Sequence, residues 1–134
     1  MKYYVDTNIW RDYYENREDK FRPLGEWAFR FFKKVADNGH NIIYSNLLIN
    51  ELSKYFNQEK IKEIMEVVPS NLLVKVKIIK FHLRKASKIA KREKIPFGDA
   101  LHYVLAKNYN AILVSRDKHF ENFKGRINKP EELI

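Results

Sequence analysis

The sequence predicts a single α/β domain built on a mainly parallel sheet of four or five strands, with helices on both faces. Three observations carry this. The chain has 134 residues, the ordinary size of one domain at about 100–150 residues. Short apolar runs alternate with amphipathic stretches from one end to the other, the order that parallel strands with crossover helices require. Those runs are apolar throughout rather than alternating, as strands buried on both faces are.

Lys2 to Asp6 (KYYVD) is a short strand that stops at a carboxylate, and Thr7 to Tyr14 follows as a short helix. Glu15 to Arg22 is a charged loop. Beyond Pro23, Leu24, Trp27, Ala28, Phe31, Phe32 and Val35 recur at spacings of three and four, the signature of an amphipathic helix, which Asn38-Gly39 ends. Asn41 to Tyr44 is a second buried strand. Ser45 or Asn46 caps the next helix, carrying Leu48, Leu52, Tyr55 and Phe56, and Gln58 to Val68 forms another, closed by Pro69. Leu72 to Ile79, rich in β-branched residues, reads as a third strand. Phe81 to Lys94 is a basic helix with Ala86, Ile89 and Ala90 on its apolar stripe; Pro96 and Gly98 break it. Asp99 opens a helix along Leu101, Val104, Leu105 and Tyr109, Ala111 to Val114 is a fourth strand, and Ser115-Arg116-Asp117 is a polar turn. The tail from Arg126 is a last strand or an arm.

Composition narrows the function classes. Hydrophobic residues make up 45%, with nine Phe, eight Tyr and two Trp, which excludes wholesale disorder. Four Gly and four Pro are too few for a low-complexity chain, and no internal repeat is visible. The absence of cysteine excludes a disulfide framework, a thiolate zinc site, an iron–sulfur cluster and a cysteine nucleophile, and it fits a reducing, cytoplasmic setting. Lys+Arg 26 against Asp+Glu 17 gives a net charge of +9, which favours polyanionic partners. No apolar run approaches the ~18 residues of a spanning helix, and the N-terminus lacks a signal-peptide core, so the expected polyanion is nucleic acid rather than membrane.

In open α/β sheets, ligands bind beyond the carboxyl ends of the strands. Asp6 follows the first strand, Asp117 lies two residues past AILV's turn into Ser115, and Asp99 begins the helix before that strand. Glu51, between Leu48 and Tyr55, lies beside a buried stripe. Each acid has a structural reading: Asp6 and Asp99 as helix N-caps, Asp117 as an Asx-turn, Glu51 as the partner of a lysine or arginine. Together they say more. Four converging carboxylates repel one another and raise their own pKa values unless a cation intervenes. Oxygen ligands without cysteine suit Mg²⁺ or Mn²⁺. In a basic protein, that combination points to metal-assisted phosphodiester hydrolysis.

The order Asp6-Thr7-Asn8, Glu51-Leu52, Asp99-Ala100-Leu101-His102 and Leu113-Val114-Ser115-Arg116-Asp117-Lys118-His119-Phe120 resembles a PIN-domain ribonuclease over nearly the whole chain. The resemblance implies one Rossmann-like three-layer α/β/α domain spanning residues 1–134, with Mg²⁺- or Mn²⁺-dependent endonuclease activity on RNA. It implies that Asp6, Glu51, Asp99 and Asp117 form the metal-binding acidic site, and that Asn8 orients water or substrate. Ser115 stands where the family often has Thr, keeping the hydroxyl, and Asn108 to Asn110 lacks the family's glycine-containing turn. Small members of the family are often VapC-type toxins, commonly dimeric and neutralised by a cognate antitoxin; others process RNA.

Lys75, Lys77, Lys80, Arg84, Lys85, Lys88, Lys91, Arg92 and Lys94 form a basic run interrupted only by Glu93. It either tracks a phosphate backbone, with Arg84 and Lys88 joining Ser115 and Arg116 as substrate contacts, or is a solvated helix face. Phe97 contacts bases or packs. Trp10, Tyr13 and Tyr14 form a partner interface or core. The four histidines are scattered without a zinc pattern, and His102 reads as a satisfied, partly buried side chain or a contact to substrate or carboxylate. No nucleophile elbow and no phosphate-binding loop is present. The rivals to a ribonuclease are a non-catalytic RNA-binding domain and a DNA nuclease with the same acids, since the sequence exposes no reader of the 2′-hydroxyl.

Overall fold

Successive side chains of a strand point to opposite faces, and the first strand feeds a separate core on each. The computed structural model describes residues 1–134, with β1 (Lys2–Val5), α1 (Thr7–Glu15), α2 (Leu24–Asp37), β2 (Asn41–Tyr44), α3 (Asn46–Leu52) and α4 (Gln58–Met65) in its first half. The second half contains β3 (Leu73–Lys75), α5 (Lys80–Glu93), α6 (Phe97–Asn108), β4 (Ile112–Val114) and β5 (Ile127–Asn128). Tyr3 and Val5 pack into a core with Trp10, Phe31, Phe32, Leu48 and Ile64 from α1 to α4. Tyr4 packs into the other core, with Ala86, Ile89, Leu101, Leu105 and Phe120. Two helical layers therefore enclose one sheet, the three-layer α/β/α arrangement.

All strand pairs are parallel, in the order β3-β2-β1-β4-β5. Winding reverses at the centre: β2 and β3 lie to one side of β1, β4 and β5 to the other. The ends of β1 and β4 thus form a topological switch point, where such sheets bind ligands. No helix is long and apolar enough to cross a membrane.

The structure departs from the sequence reading at four places. The third strand shrinks from Leu72–Ile79 to Leu73–Lys75 because it is a sheet edge; after Val76 donates to the Tyr44 carbonyl at 2.8 Å the chain leaves the ladder. α6 starts at Phe97, so Asp99 lies inside its first turn. Pro96 precedes the helix, a place its fixed φ suits, and the break after α5 falls at Lys94, in the left-handed region at φ 56°. α3 ends at Leu52, which puts Tyr55 outside the apolar stripe and exposed. Of the two readings offered for Trp10, core is the one observed: it is fully buried, 4.6 Å from Phe32 between ring centroids.

Candidate active site

Asp6 is the first residue beyond β1 and occupies the N-cap position of α1, yet its side chain makes no capping bond. Its carboxylate instead accepts from the Ser115 hydroxyl at 2.8 Å. Ser115 is the first residue beyond β4, and its oxygen also accepts from the Asp117 N–H at 3.0 Å. The capping reading of Asp6 is therefore corrected: the side chain ties two neighbouring strand ends together. Burial pushes the Asp6 carboxyl above the ordinary range; His102 and Ser115 oppose that rise, while Glu51 and Asp117 add to it.

Glu51, near the end of α3, has no lysine or arginine partner. Its Oε1 accepts from the Thr7 hydroxyl at 2.5 Å and lies 2.6 Å from His102 Nε2. His102 sits on α6 with Nδ1 2.8 Å from the Tyr4 hydroxyl, which lies 3.0 Å from Ser45 Oγ. Burial alone would raise Glu51, but the bond and charge of His102 and the Thr7 bond hold it below its usual value. Burial alone would lower His102, but Glu51 and Asp6 hold its imidazole above the usual value. The shifts favour a charged pair set inside a chain of hydrogen bonds, an arrangement that offsets the cost of burying the imidazolium.

Asp99 does not cap α6 either. Its Oδ2 lies 2.6 Å from His119 Nδ1, which is 3.0 Å from Asp117 Oδ1. Asp117 also accepts from the His119 N–H at 2.9 Å, so its turn-forming role is real and coexists with its place in the cluster. Burial pushes Asp99 up to about 6; the His119 bond opposes this, and the Asp117 and Asp6 charges reinforce it. A Cβ at Gly98 would stand 3.1 Å from Glu51 Oε2, close enough to press on that carboxylate.

Asp6, Thr7, Asn8, Glu51, Asp99 and Tyr55 share the wall of a cavity of about 160 Å³. Asn8 is exposed there, and the Arg11 guanidinium stacks 3.7 Å from the Tyr55 ring centroid. The donors suit a divalent metal. Ligand atoms of Asp99, Asp117 and His119 lie within 4.8 Å of one another. Burial first, and neighbouring carboxylates second, raise the carboxyls of Asp6 and Asp99; a bound hard cation favours the charged forms that both effects penalise.

Two of the expected substrate contacts have partners within the protein. Ser115 is buried, with its hydroxyl committed to Asp6 and Asp117. Arg116 is 14% exposed; it grips Glu131 through two bonds of 2.8 and 2.6 Å and approaches Asp12 at 3.6 Å. Both hold the loop after β4 in place. Arg84 and Lys88 line a different groove, between α5 and α6, and Phe97 is exposed rather than packed. The sequence singles out neither Thr7 nor His119, and it offers His102 only as a satisfied side chain or a contact to substrate or carboxylate; the carboxylate contact is the one observed. The spacing of His102 three residues after Asp99 was a signal, but its Glu51 partner is 51 residues away.

A family model for the PIN domain matches residues 3–126. No curated protein sequence matches this chain. Among solved structures, a toxin-antitoxin complex from Klebsiella pneumoniae contains a chain similar to this one, with TM-score 0.65 and 17% identity over 95% of this chain and 96% of that one. VapBC2 from Rickettsia felis, solved bound to a DNA fragment from its promoter, contains another, with TM-score 0.69 and 20% identity over 96% of this chain and 98% of that one.

Proposed function

The chain belongs to the PIN domain family, and from that membership we propose that it is a metal-dependent endoribonuclease hydrolysing RNA phosphodiester bonds. One observation carries the reading: four carboxylates from four separate elements meet at the switch point of the sheet, with the carboxyls of Asp6 and Asp99 held above their ordinary range. Asp6, Glu51, Asp99 and Asp117 would hold Mg²⁺ or Mn²⁺. When bound, such an ion supplies an activated water and shields the charge that develops on phosphate.

The chain's own residues do the positioning. Ser115 fixes the Asp6 carboxylate, while Thr7 and His102 fix that of Glu51. Asn8, exposed on the cavity wall, orients water or substrate. Lys54 and Arg11 line the same cavity and hold the phosphate backbone by charge. The two toxin–antitoxin neighbours support a further reading, in which a cognate antitoxin protein restrains this nuclease.

Asp99→Asn tests the proposal. The variant is expected to lose cleavage of structured RNA by at least about 100-fold, since even changes behind a metal's ligands cost about 10–100-fold, and to keep its RNA affinity. Wild-type cleavage should require Mn²⁺ or Mg²⁺ and stop in EDTA. Equal cleavage by both proteins would remove the acids from the mechanism. A wild type that binds but never cuts would favour the binding-domain rival, and matched DNA substrates separate the two kinds of nuclease.

A further inference from the structure

We propose that the groove between α5 and α6 is a binding site for single-stranded RNA, holding the chain to one side of the scissile phosphate. The inference rests on the ribonuclease reading above. The groove has a volume of about 760 Å³, and Arg84, Lys85, Lys88 and Arg92 of α5 face it together with Lys107 of α6. Of these five, only Arg92 has a carboxylate partner, Glu93 at 3.1 Å. Like charges gathered along one groove repel one another, and a bound polyanion removes that repulsion while releasing its own counterions.

Two features select RNA over an acidic protein segment. Phe81, at the N-terminal end of α5, is 50% exposed, with Lys85 Nζ 5.6 Å from its ring centroid. An open aromatic face beside a cation is the platform on which an unpaired base stacks, whereas a duplex keeps its bases inside. The second feature is continuity. Asp99, Tyr103 and Lys107 are spaced four apart on α6, so they lie along one strip of the helix. Tyr103 and Lys107 line the groove, whose α6 wall therefore begins one turn, about 5.4 Å, beyond the acidic site. The eight-residue step from Arg84 to Arg92 adds a basic track about 12 Å long.

The test compares Arg84→Gln/Lys85→Gln/Lys88→Gln with Arg30→Gln/Lys33→Gln/Lys34→Gln, an equal loss of charge on α2 across the sheet. All six residues are exposed, and glutamine keeps helix propensity. Affinity for a fluorescent single-stranded RNA is measured in EDTA, so the result does not depend on cleavage. If each groove cation meets a phosphate, the groove variant's log affinity falls less steeply with log salt, by a slope of about 2. From about 50 to 200 mM salt, the wild type then loses about 20-fold more affinity than that variant, while the α2 variant follows the wild type. Equal slopes in all three proteins overturn the proposal and leave the groove to an acidic protein segment. Equal reductions in both variants also overturn it, because net charge alone then explains binding. Failure of the wild type to cleave RNA with metal would count against the nuclease reading and leave this comparison standing.

Discussion

His102 with Glu51 and His119 with Asp99 are two histidine–carboxylate pairs of the same 2.6 Å separation, beside the same cavity. Their side chains are 1% and 26% exposed in the first pair, 44% and 20% in the second. That difference in burial outweighs the identity in distance. His102 has a second partner in Tyr4, and Glu51 has one in Thr7, so neither group can leave without stranding another. His119 is at the surface and water replaces whatever it releases. The first pair is a fixed wall of the site; the second can yield its carboxylate to a cation.

Between the two pairs, the larger expected effect on stability comes from breaking the buried one. His102→Ala strands Glu51 and the Tyr4 hydroxyl, at a cost of about 2–3 kcal/mol of stability in denaturant unfolding. Cleavage should fall about 10–100-fold as the Glu51 carboxylate loses its orientation. The pair's contribution is also confined in pH. Glu51, lowered from 4.5, supplies stability above that value and loses it as pH falls through its folded pKa. His102, raised from 6.5, supplies stability below that value and loses it as pH rises through its folded pKa. The gap between wild type and His102→Ala should therefore be widest between pH 4.5 and 6.5, and a gap that is flat with pH would deny the charged pair.

The open pair makes the next prediction. Asp99 is raised from 3.8 to about 6, so the folded state holds its proton more tightly and stability falls as pH rises from 3.8 to about 6. A cation must compete with that proton. Calorimetric Mn²⁺ affinity should be about ten-fold weaker at pH 5 than at pH 7, the ratio one proton with a pKa of about 6 imposes. Equal affinities would take Asp99 out of the ligand set. A smaller effect is expected from Gly98→Ala, whose methyl presses on Glu51 Oε2: cleavage drops a few-fold, roughly 1 kcal/mol of barrier, with little change in unfolding. Smallest of all is the stability effect of His119→Ala, within about 1 kcal/mol as for exposed pairs; a loss matching that of His102→Ala would erase the distinction between the pairs.

Much of this was legible in the sequence, for reasons that particular residues make plain. The apolar recurrence from Leu24 to Val35 marked α2 because one helix face meets one core. Asp6 and Asp117 stood out because each follows a buried strand, and the sheet order carries both to one edge. Ser115 and Arg116 read as substrate contacts because a polar turn after a strand looks alike in sequence whether it faces solvent or is clamped. Arg116 is clamped by Glu131, 15 residues further on, and nothing local announces that contact. His102 was visible at its spacing from Asp99, but its role depends on α3 and β1. The third strand reads longer in sequence than it is, because β-branched residues do not reveal which strand lies at the edge.

The place of β1 between β2 and β4 has a consequence for the protein's synthesis. Ser115 meets Asp6 across 109 residues of chain, and β1 has no neighbour on its β4 side until β4 has been made. At about 5–20 residues per second, the interval between the two halves is roughly 5–20 s. During that time the growing chain is attached to a ribosome, a machine made largely of RNA, with its acidic centre still unassembled. An acidic site assembled in this order stays incomplete until the stretch carrying Ser115 and Asp117 has emerged.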